Sequence, residues 1–405
     1  MLYITYDGLL DPLGSSQILP YVESIAGHPR AVHILSFEKH SRLQIGKTDM
    51  FEKLAGLGIS WTPLSFTRNF GLTGKVWDLM RMYSLGFFLA ISNKPKIIHA
   101  RGHAPAQVGL FLKNWLGLKL IFDFRGLWVD ERVDKGGWNL SKTFDLLQYT
   151  YYKRIERKLL RQADQVIVLT ESVVKEILRL GARPASKVTV IPCCADFNHF
   201  ALADEIGRQS ARIKLGIAKD ALVLGYLGSV GSMYMVDRFF RFVELAAFEN
   251  QYLRVLAITP DVERFNMEMH KHLPSKLHHL ICILTSTRDK VPKLLSAIDL
   301  LVSFISPSYA RIATSPTKLA ESFAVGVPAI CNYGVGDVES LMQELDSGLM
   351  VNEHSDDALS EAVKALPFVT AKGGKRLREA AFQRLGLEVA VKRYRSVYIK
   401  LDSLC

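Results

Sequence analysis

Lys318 and Glu321 stand three residues apart in the run Ser315-Pro316-Thr317-Lys318-Leu319-Ala320-Glu321, at the start of a predicted short helix. Ser315 suits the N-cap and Pro316 the first helical position. Leu319, Ala320, Phe323 and Ala324 form one apolar face, Gly326 supplies a stop, and Pro328 forbids a restart. Lys318 is out of place in that first turn, where the helix dipole disfavours a cation by about 0.3–1 kcal/mol. A bound anion shared between Lys318 and the backbone N–H groups of the first turn removes the conflict. Glu321, one turn on, has the chemistry to accept hydrogen bonds from a diol. Phosphate at a helix start with ribose hydroxyls on a carboxylate describes a nucleotide. The alternative is a plain helix start in which Lys318 pairs with Glu321, although lysine before glutamate is the weaker order for such a pair.

The elements around this stretch predict an α/β chain. Leu2–Tyr6 reads as a strand, Asp7 to Gln17 as a turn, and Ile18 to Ala26 as a helix. Gly14, Ser15 and Ser16 lie in that turn, where small residues let backbone approach a ligand; the pattern is not a dinucleotide fingerprint. Strands follow at Ala31–Phe37, from Ile59, and at Ile97–Ala100. His103 follows that last strand. Leu120–Phe124 leads into a loop holding Arg125, Trp128, Asp130 and Arg132, either a binding loop or a local ion-pair network with Asp123. Lys75–Ile91 is an apolar helix with few acids, either packed in the core or lying on a membrane. Tyr149–Ala163 is a basic amphipathic helix, and Thr170 caps a helix over Glu171–Leu180. Apolar periodicity lapses over Asp196–Gly216, which places a domain boundary at about 200. The alternation then resumes with a strand at Leu222–Leu227, the loop Gly228-Ser229-Val230-Gly231-Ser232 and a helix over Val236–Glu249. Two successive βα arrays predict two Rossmann-like, doubly wound domains facing a cleft, 1–200 and 201–385, with a C-terminal helix over 386–405.

At 405 residues the chain has room for two or three domains. No apolar run reaches the ~20 residues that span a bilayer, and the N-terminus has no signal-peptide pattern. Cys193, Cys194, Cys282, Cys331 and Cys405 show no metal-ligand spacing and are expected to be reduced, as in a cytoplasmic protein. The net charge of +11 is uneven. Residues 1–200 hold 26 Lys and Arg against 17 Asp and Glu, and residues 201–405 hold 25 against 23. The first half therefore suits an anionic membrane surface or a negatively charged substrate, or is merely well solvated. No nucleic-acid motif is present.

Several segments resemble the family-four retaining glycosyltransferases of the GT-B fold. These are Tyr6 to Gln17, Phe122 to Trp128 with Asp130-Glu131-Arg132, Val168 to Ser172, Lys187 to Pro192 with Asp196 and Phe200, and Ser315 to Leu319 with Glu321, Gly326 and Pro328. The resemblance implies a UDP- or GDP-sugar held by the second domain and a glycan or lipid-linked acceptor held by the first. It implies transfer with retention, in cell-surface polysaccharide biosynthesis, with the C-terminal helix returning to the first domain. Glu321 would hold the ribose, and Gly14-Ser15-Ser16 would lie over the donor phosphates. Two departures stand out. The family's glutamate eight residues before Glu321 is Ala313 here, and Gly228 to Val236 contains no Arg or Lys. The diphosphate must then be met by Lys318, Arg311 or Arg288, beside Gly228, Ser315 and Thr317.

Transfer of a glycosyl group needs the leaving diphosphate stabilised by fixed positive groups and helix-terminal N–H donors. No cofactor is expected and no metal-ligand spacing occurs. His103 and Arg125, at strand carboxyl ends, are candidates to orient the acceptor, while a histidine with no role is the alternative for His103. A sugar-nucleotide epimerase or hydrolase of the same fold, and an inactive binding or assembly protein, remain rival readings; Ala313 keeps the last open.

Overall fold

The computed structural model describes residues 1–26, 31–67, 71–352 and 355–403. The chain forms two compact units, Met1–Pro192 with Ala390–Cys405, and Cys193–Val389. The first contains β1 (Leu2–Thr5), α1 (Pro12–Gln17), α2 (Leu19–Ile25), β2 (Val32–Glu38), α3 (His40–Gly56), β3 (Ile59–Ser65), α4 (Gly71–Asn93), β4 (Ile97–Arg101) and α5 (His103–Leu116). It continues through β5 (Lys119–Asp123), α6 (Trp128–Asp134), α7 (Thr143–Gln162), β6 (Gln165–Val168), α8 (Val174–Leu180) and β7 (Val188–Val190). Its seven strands are all parallel, in the order β3-β2-β1-β4-β5-β6-β7. β1 and β4 are buried along their whole length, as strands covered by helices on both faces must be. The order reverses between β1 and β4, which opens a crevice at their carboxyl ends.

The second unit contains α9 (Glu205–Lys214), β8 (Leu222–Leu227), α10 (Val236–Glu249), β9 (Leu253–Ile258), α11 (Val262–His272), β10 (Ile281–Leu284), α12 (Val291–Leu295), β11 (Leu300–Ser303), α13 (Thr317–Ala324) and β12 (Ala329–Asn332). α14 (Val338–Leu345), β13 (Gly348–Val351), α15 (Asp356–Lys364), α16 (Leu366–Thr370) and α17 (Lys375–Leu385) complete it. The six parallel strands run β10-β9-β8-β11-β12-β13 and reverse between β8 and β11. Two cores cover the sheet, one centred on Phe239, Phe240, Phe242 and Phe265, the other on Phe197, Phe200 and Phe323. Burying each such ring contributes about 1.5–3 kcal/mol. The last helix, α18 (Leu387–Asp402), follows Gly386.

Several local expectations change. The turn over Asp7–Gln17 holds helix α1, with Pro12 at its first position. The segment Asp196–Gly216 is no linker. Phe197 and Phe200 are core residues, and Asp204 caps α9 by accepting the Gly207 N–H at 2.7 Å. The charged composition there hides arginines that turn inward: Arg212 is buried, donates to Ala221 O at 3.0 Å and pairs with Asp299 at 2.7 Å. The contact boundary accordingly falls at Pro192–Cys193. α8 begins at Val174, so Thr170 is not its cap. α7 starts at Thr143, six residues before the expected Tyr149. Cys193, Cys194, Cys282 and Cys331 are free thiols, and Cys405 lies outside the described residues.

Candidate active site

In the second unit the end of β8 meets the start of α13. Gly228 follows β8 with φ of +115°, a conformation that glycine adopts readily. A Cβ here would stand 3.5 Å from Lys318 Nζ. Lys318 is the second residue of α13 and is buried. Its ammonium lies 4.0 Å from the Tyr234 ring centroid and 5.5 Å from that of Tyr226. Among the described residues it forms no ion pair. The alternative pairing with Glu321 is absent, and Glu321 Oε1 accepts from Arg288 Nη1 at 3.3 Å. Burial pushes the Glu321 carboxyl up to about 7, against the pull of Arg288 and Lys318. Arg288 also lays its guanidinium 5.4 Å from the Phe200 ring centroid.

The loop after Gly228 is fixed at several points. Tyr226 donates to Ser229 O at 2.8 Å, and Asp261 accepts the Val230 N–H at 2.8 Å. Met235 N–H donates to Phe304 O at 3.1 Å. Asn332 holds the chain beyond β11 from both sides, accepting the Ile305 N–H and donating to Ile305 O, each at 2.8 Å. Tyr234 therefore sits on a braced loop, and its ring is fixed over Lys318.

Other predicted residues occupy the approach to α13. Arg311 and Ala313 are buried in the 3-10 turn Tyr309–Ala313. Ser315 does not cap α13: the N-cap position is Pro316, and Ser315 Oγ accepts the Cys193 N–H at 3.1 Å. Thr317 opens the helix. The aromatic partners of Lys318 were missed in the sequence; tyrosines flanking a glycine loop were the available signal.

In the first unit, buried charges gather where the strand order reverses. Asp123 is fully buried at the end of β5. Its carboxylate lies 3.3 Å from His99 Nε2, 3.5 Å from Arg101 Nη1 and 3.5 Å from Arg125 Nη1. Burial opposes ionisation of Asp123, but Arg125, His99 and Arg101 outweigh it and hold the carboxyl well below its usual range. Burial likewise holds His99 below the ordinary imidazole range, despite Asp123. His99 Nδ1 lies 2.6 Å from Tyr398 Oη, and Tyr394 Oη 3.5 Å from Asp123, both tyrosines on α18.

His103 is the first residue of α5 rather than a loop residue, and is buried. Its Nε2 lies 2.9 Å from Glu156 Oε2; Glu156 pairs with Lys153, and Lys153 donates to Asp130 at 2.9 Å. Burial raises Glu156, but His103 and Lys153 together bring it below its usual value. The expected network of Asp123, Arg125, Asp130 and Arg132 is thereby split. Arg132 lies over the rings of Trp128 and Trp138, with centroids at 5.9 and 5.3 Å. Gly14 is used internally: a Cβ there would meet Gly8 O at 2.0 Å. Ser15 and Ser16 donate to Pro12 O at 3.0 and 2.8 Å.

Two parallel sheets of this connectivity, each with its polar residues at a strand-order reversal, define a chain of the GT-B class. Residues 27–194 match the model of the glycosyl transferase 4-like domain, and residues 207–371 that of glycosyl transferases group 1. The chain belongs to the group 1 glycosyltransferases and is a glycosyltransferase. Solved structures share the fold at low identity. HepE from Anabaena, in complex with UDP and glucose, superposes with a TM-score of 0.71 at 15% identity, covering 98% of this chain and 99% of that one. Sucrose-phosphate synthase from Thermosynechococcus elongatus gives 0.71 at 14%, covering 100% and 99%. WaaG, a glycosyltransferase involved in lipopolysaccharide biosynthesis, gives 0.68 at 14%, covering 98% of each. No curated protein matches the chain by sequence.

Proposed function

We propose that this glycosyltransferase takes its sugar from a UDP- or GDP-sugar and passes it, with retention, to a glycan or lipid-linked acceptor in cell-surface polysaccharide biosynthesis. The observation that carries the donor reading is Lys318, a buried ammonium at a helix start, facing tyrosine rings and the open side of Gly228 in place of a carboxylate. A diphosphate is the ligand that satisfies such a group, since the free N–H donors of the first turn of α13 point the same way. Glu321 would receive ribose hydroxyls, and Arg288, which now faces Glu321, would reach the phosphates or fix the carboxylate. Gly228, Arg311, Ser315 and Thr317 shape the same end of the sheet. HepE, solved with UDP-glucose and with UDP, supports a UDP-sugar among the candidates.

As the glycosidic bond breaks, negative charge grows on the leaving diphosphate. Lys318 and the α13 amides stabilise that charge more than they stabilise the intact donor, which is the requirement for catalysis. On the first unit, Arg125 and His103 are assigned to the acceptor. Glu156 orients the His103 ring, and Asp123 anchors Arg125. The excess positive charge of the first unit favours peripheral contact with an anionic membrane, where a lipid-linked acceptor resides.

Calorimetric titration with UDP, GDP and their sugars tests the donor reading, followed by assay of nucleotide release with and without a lipid-linked acceptor. Micromolar binding of one diphosphate and acceptor-dependent release are expected. Acceptor-independent release would point to a hydrolase, and binding without release under any condition to a non-catalytic role.

A further inference from the structure

The first unit carries a face that its core does not use. On α4, Trp77, Met80, Phe88 and Ile91 recur at helical spacing and are all exposed, Phe88 at 62%. The opposite face of α4 is the one that packs inward, through Met82, Leu89 and Ala90. α7 repeats the arrangement with Phe144, Leu147 and Tyr151, of which Phe144 and Leu147 are 64% and 63% exposed. α5 lies between the two helices. Its Trp115, 72% exposed, stands beside Phe111, which meets Tyr83 of α4 edge-on at 5.4 Å. A groove floored by Tyr83, Phe111, Tyr151 and Ile155 runs across all three helices. A globular protein rarely leaves so many large apolar side chains together on one face without a partner.

The charge on this face selects the partner. α4, α5 and α7 together contain eight Lys and Arg against three acids. Two of those acids, Asp78 and Glu156, are buried and paired, Asp78 with Arg81 and Glu156 with Lys153. The third, Asp145, accepts the Asn139 N–H at 2.9 Å. Lys158 extends the exposed stripe of α7, and Arg154, Arg157 and Arg161 are exposed beside it. At the carboxyl ends of α4 and α5, Lys94, Lys96 and Lys119 ring a depression of about 670 Å³ whose wall includes Ile91 and Leu116. No helix among the described residues is long and apolar enough to cross a membrane.

We infer that the α4–α5–α7 face lies on an anionic bilayer, with its aromatic and aliphatic side chains in the headgroup–acyl boundary and the lysine-ringed depression against lipid phosphates. Apolar stripes bordered by exposed cations are the pattern of surface-seated helices. Each basic residue close to an anionic leaflet strengthens attachment by a factor of roughly five. The inference names the surface for the membrane contact proposed above and rests on that reading.

Co-sedimentation with vesicles of equimolar phosphatidylglycerol and phosphatidylcholine, and with phosphatidylcholine alone, tests it on the full chain. The native protein should bind the anionic vesicles, and raising salt should release it. The triple variant Phe88→Gln, Trp115→Gln, Leu147→Gln changes only exposed positions and should bind about a hundredfold less tightly. Lys94→Gln with Lys96→Gln should bind about tenfold less tightly or worse and lose part of the salt dependence. Trp77→Phe with Trp115→Phe should remove most of any blue shift in tryptophan fluorescence on vesicle addition, because both indoles lie on this face. Unchanged vesicle binding by the triple variant would overturn the inference. So would failure of the native chain to bind anionic vesicles, or a self-association in sedimentation equilibrium that the triple variant abolishes, which would make this face a contact between copies. Titration of the same samples with nucleotide separates the two readings: lost nucleotide binding with intact vesicle binding counts against the donor site alone.

Discussion

The candidate sites of the two units handle buried charge in opposite ways. In the first, Asp123 faces Arg101, Arg125 and His99, while His103, Glu156, Lys153 and Asp130 form a second closed chain. Each arginine and lysine of these two clusters has a carboxylate. In the second, Lys318 has the faces of Tyr226 and Tyr234 and, among the described residues, no ion pair. Such a contact is worth about 0.5–2 kcal/mol, enough to offset the unfavourable dipole but far short of neutralising the charge. The closed clusters can hold side chains in place before any ligand arrives, whereas the open one, on the function proposed above, is completed by an anion from outside.

The sharpest way to break this comparison is Asp123→Asn. It takes the carboxylate at 3.5 Å away from buried Arg101, which keeps Asp7 at 3.4 Å, and from half-buried Arg125, and a loss of about 3 kcal/mol is expected in chemical denaturation. A loss below about 1 kcal/mol would show that the cluster is not closed in the sense argued here. Because Asp123 is held below its usual value, the stability it confers is present above the ordinary carboxylate range and drains away as pH falls below it. Acid titration of the native protein against Asp123→Asn checks that direction.

Lys318→Ala should behave differently. The free protein should keep its stability to within about 1 kcal/mol, because the lost tyrosine contacts and the relieved dipole conflict roughly cancel. Affinity for the nucleoside diphosphate should drop roughly ten- to a hundredfold, with nucleoside binding spared. Calorimetric titration with both ligands distinguishes this from a general loss of the site; an unchanged diphosphate affinity would move the phosphate to Arg288 or Arg311.

Glu321→Gln gives the change most dependent on pH. Burial raises Glu321 to about 7, so its ionisation costs stability progressively from its unfolded value of about 4.5 up to 7. The full cost, on the order of 3 kcal/mol, is reached above that. Removing the charge also removes the Arg288 contact. The variant is therefore expected to be about 2 kcal/mol more stable than the native protein at pH 8 and nearly equal at pH 5. Its nucleoside affinity should fall. Thermal denaturation at the two pH values, with a nucleoside titration at pH 8, measures both effects. Equal stability differences at both pH values would mean that the native carboxyl is ionised without cost.

What the sequence made legible were features written in adjacent residues. The βα alternation, the helix stop at Gly326 with Pro328, and the misplaced Lys318 all lie within one or two turns of their explanation. What it hid were partners far away along the chain. Glu156 lies 53 residues from His103, and Tyr234 lies 84 before Lys318. Local composition also misled where polar residues serve the interior: Arg212 and Arg208 made a helix at the domain boundary read as irregular chain. Gly14 has a packing reason that the sequence did not show, since Gly8 O leaves no room there for a side chain. Ser315 carries the right side chain for a cap, yet its hydroxyl is engaged by Cys193.

The tyrosines of α18 add a matter of timing. Residues 1–192 leave the ribosome with His99 and Asp123 still lacking Tyr398 and Tyr394, because residues 390–405 join that unit only after the whole of the second has been made. At roughly 5–20 residues per second, the intervening stretch takes tens of seconds to make. For that interval the nascent first unit holds an imidazole short of one hydrogen bond and a carboxylate without its tyrosine. The first half of the enzyme is begun first and finished last, so it cannot mature before its neighbour has been synthesised.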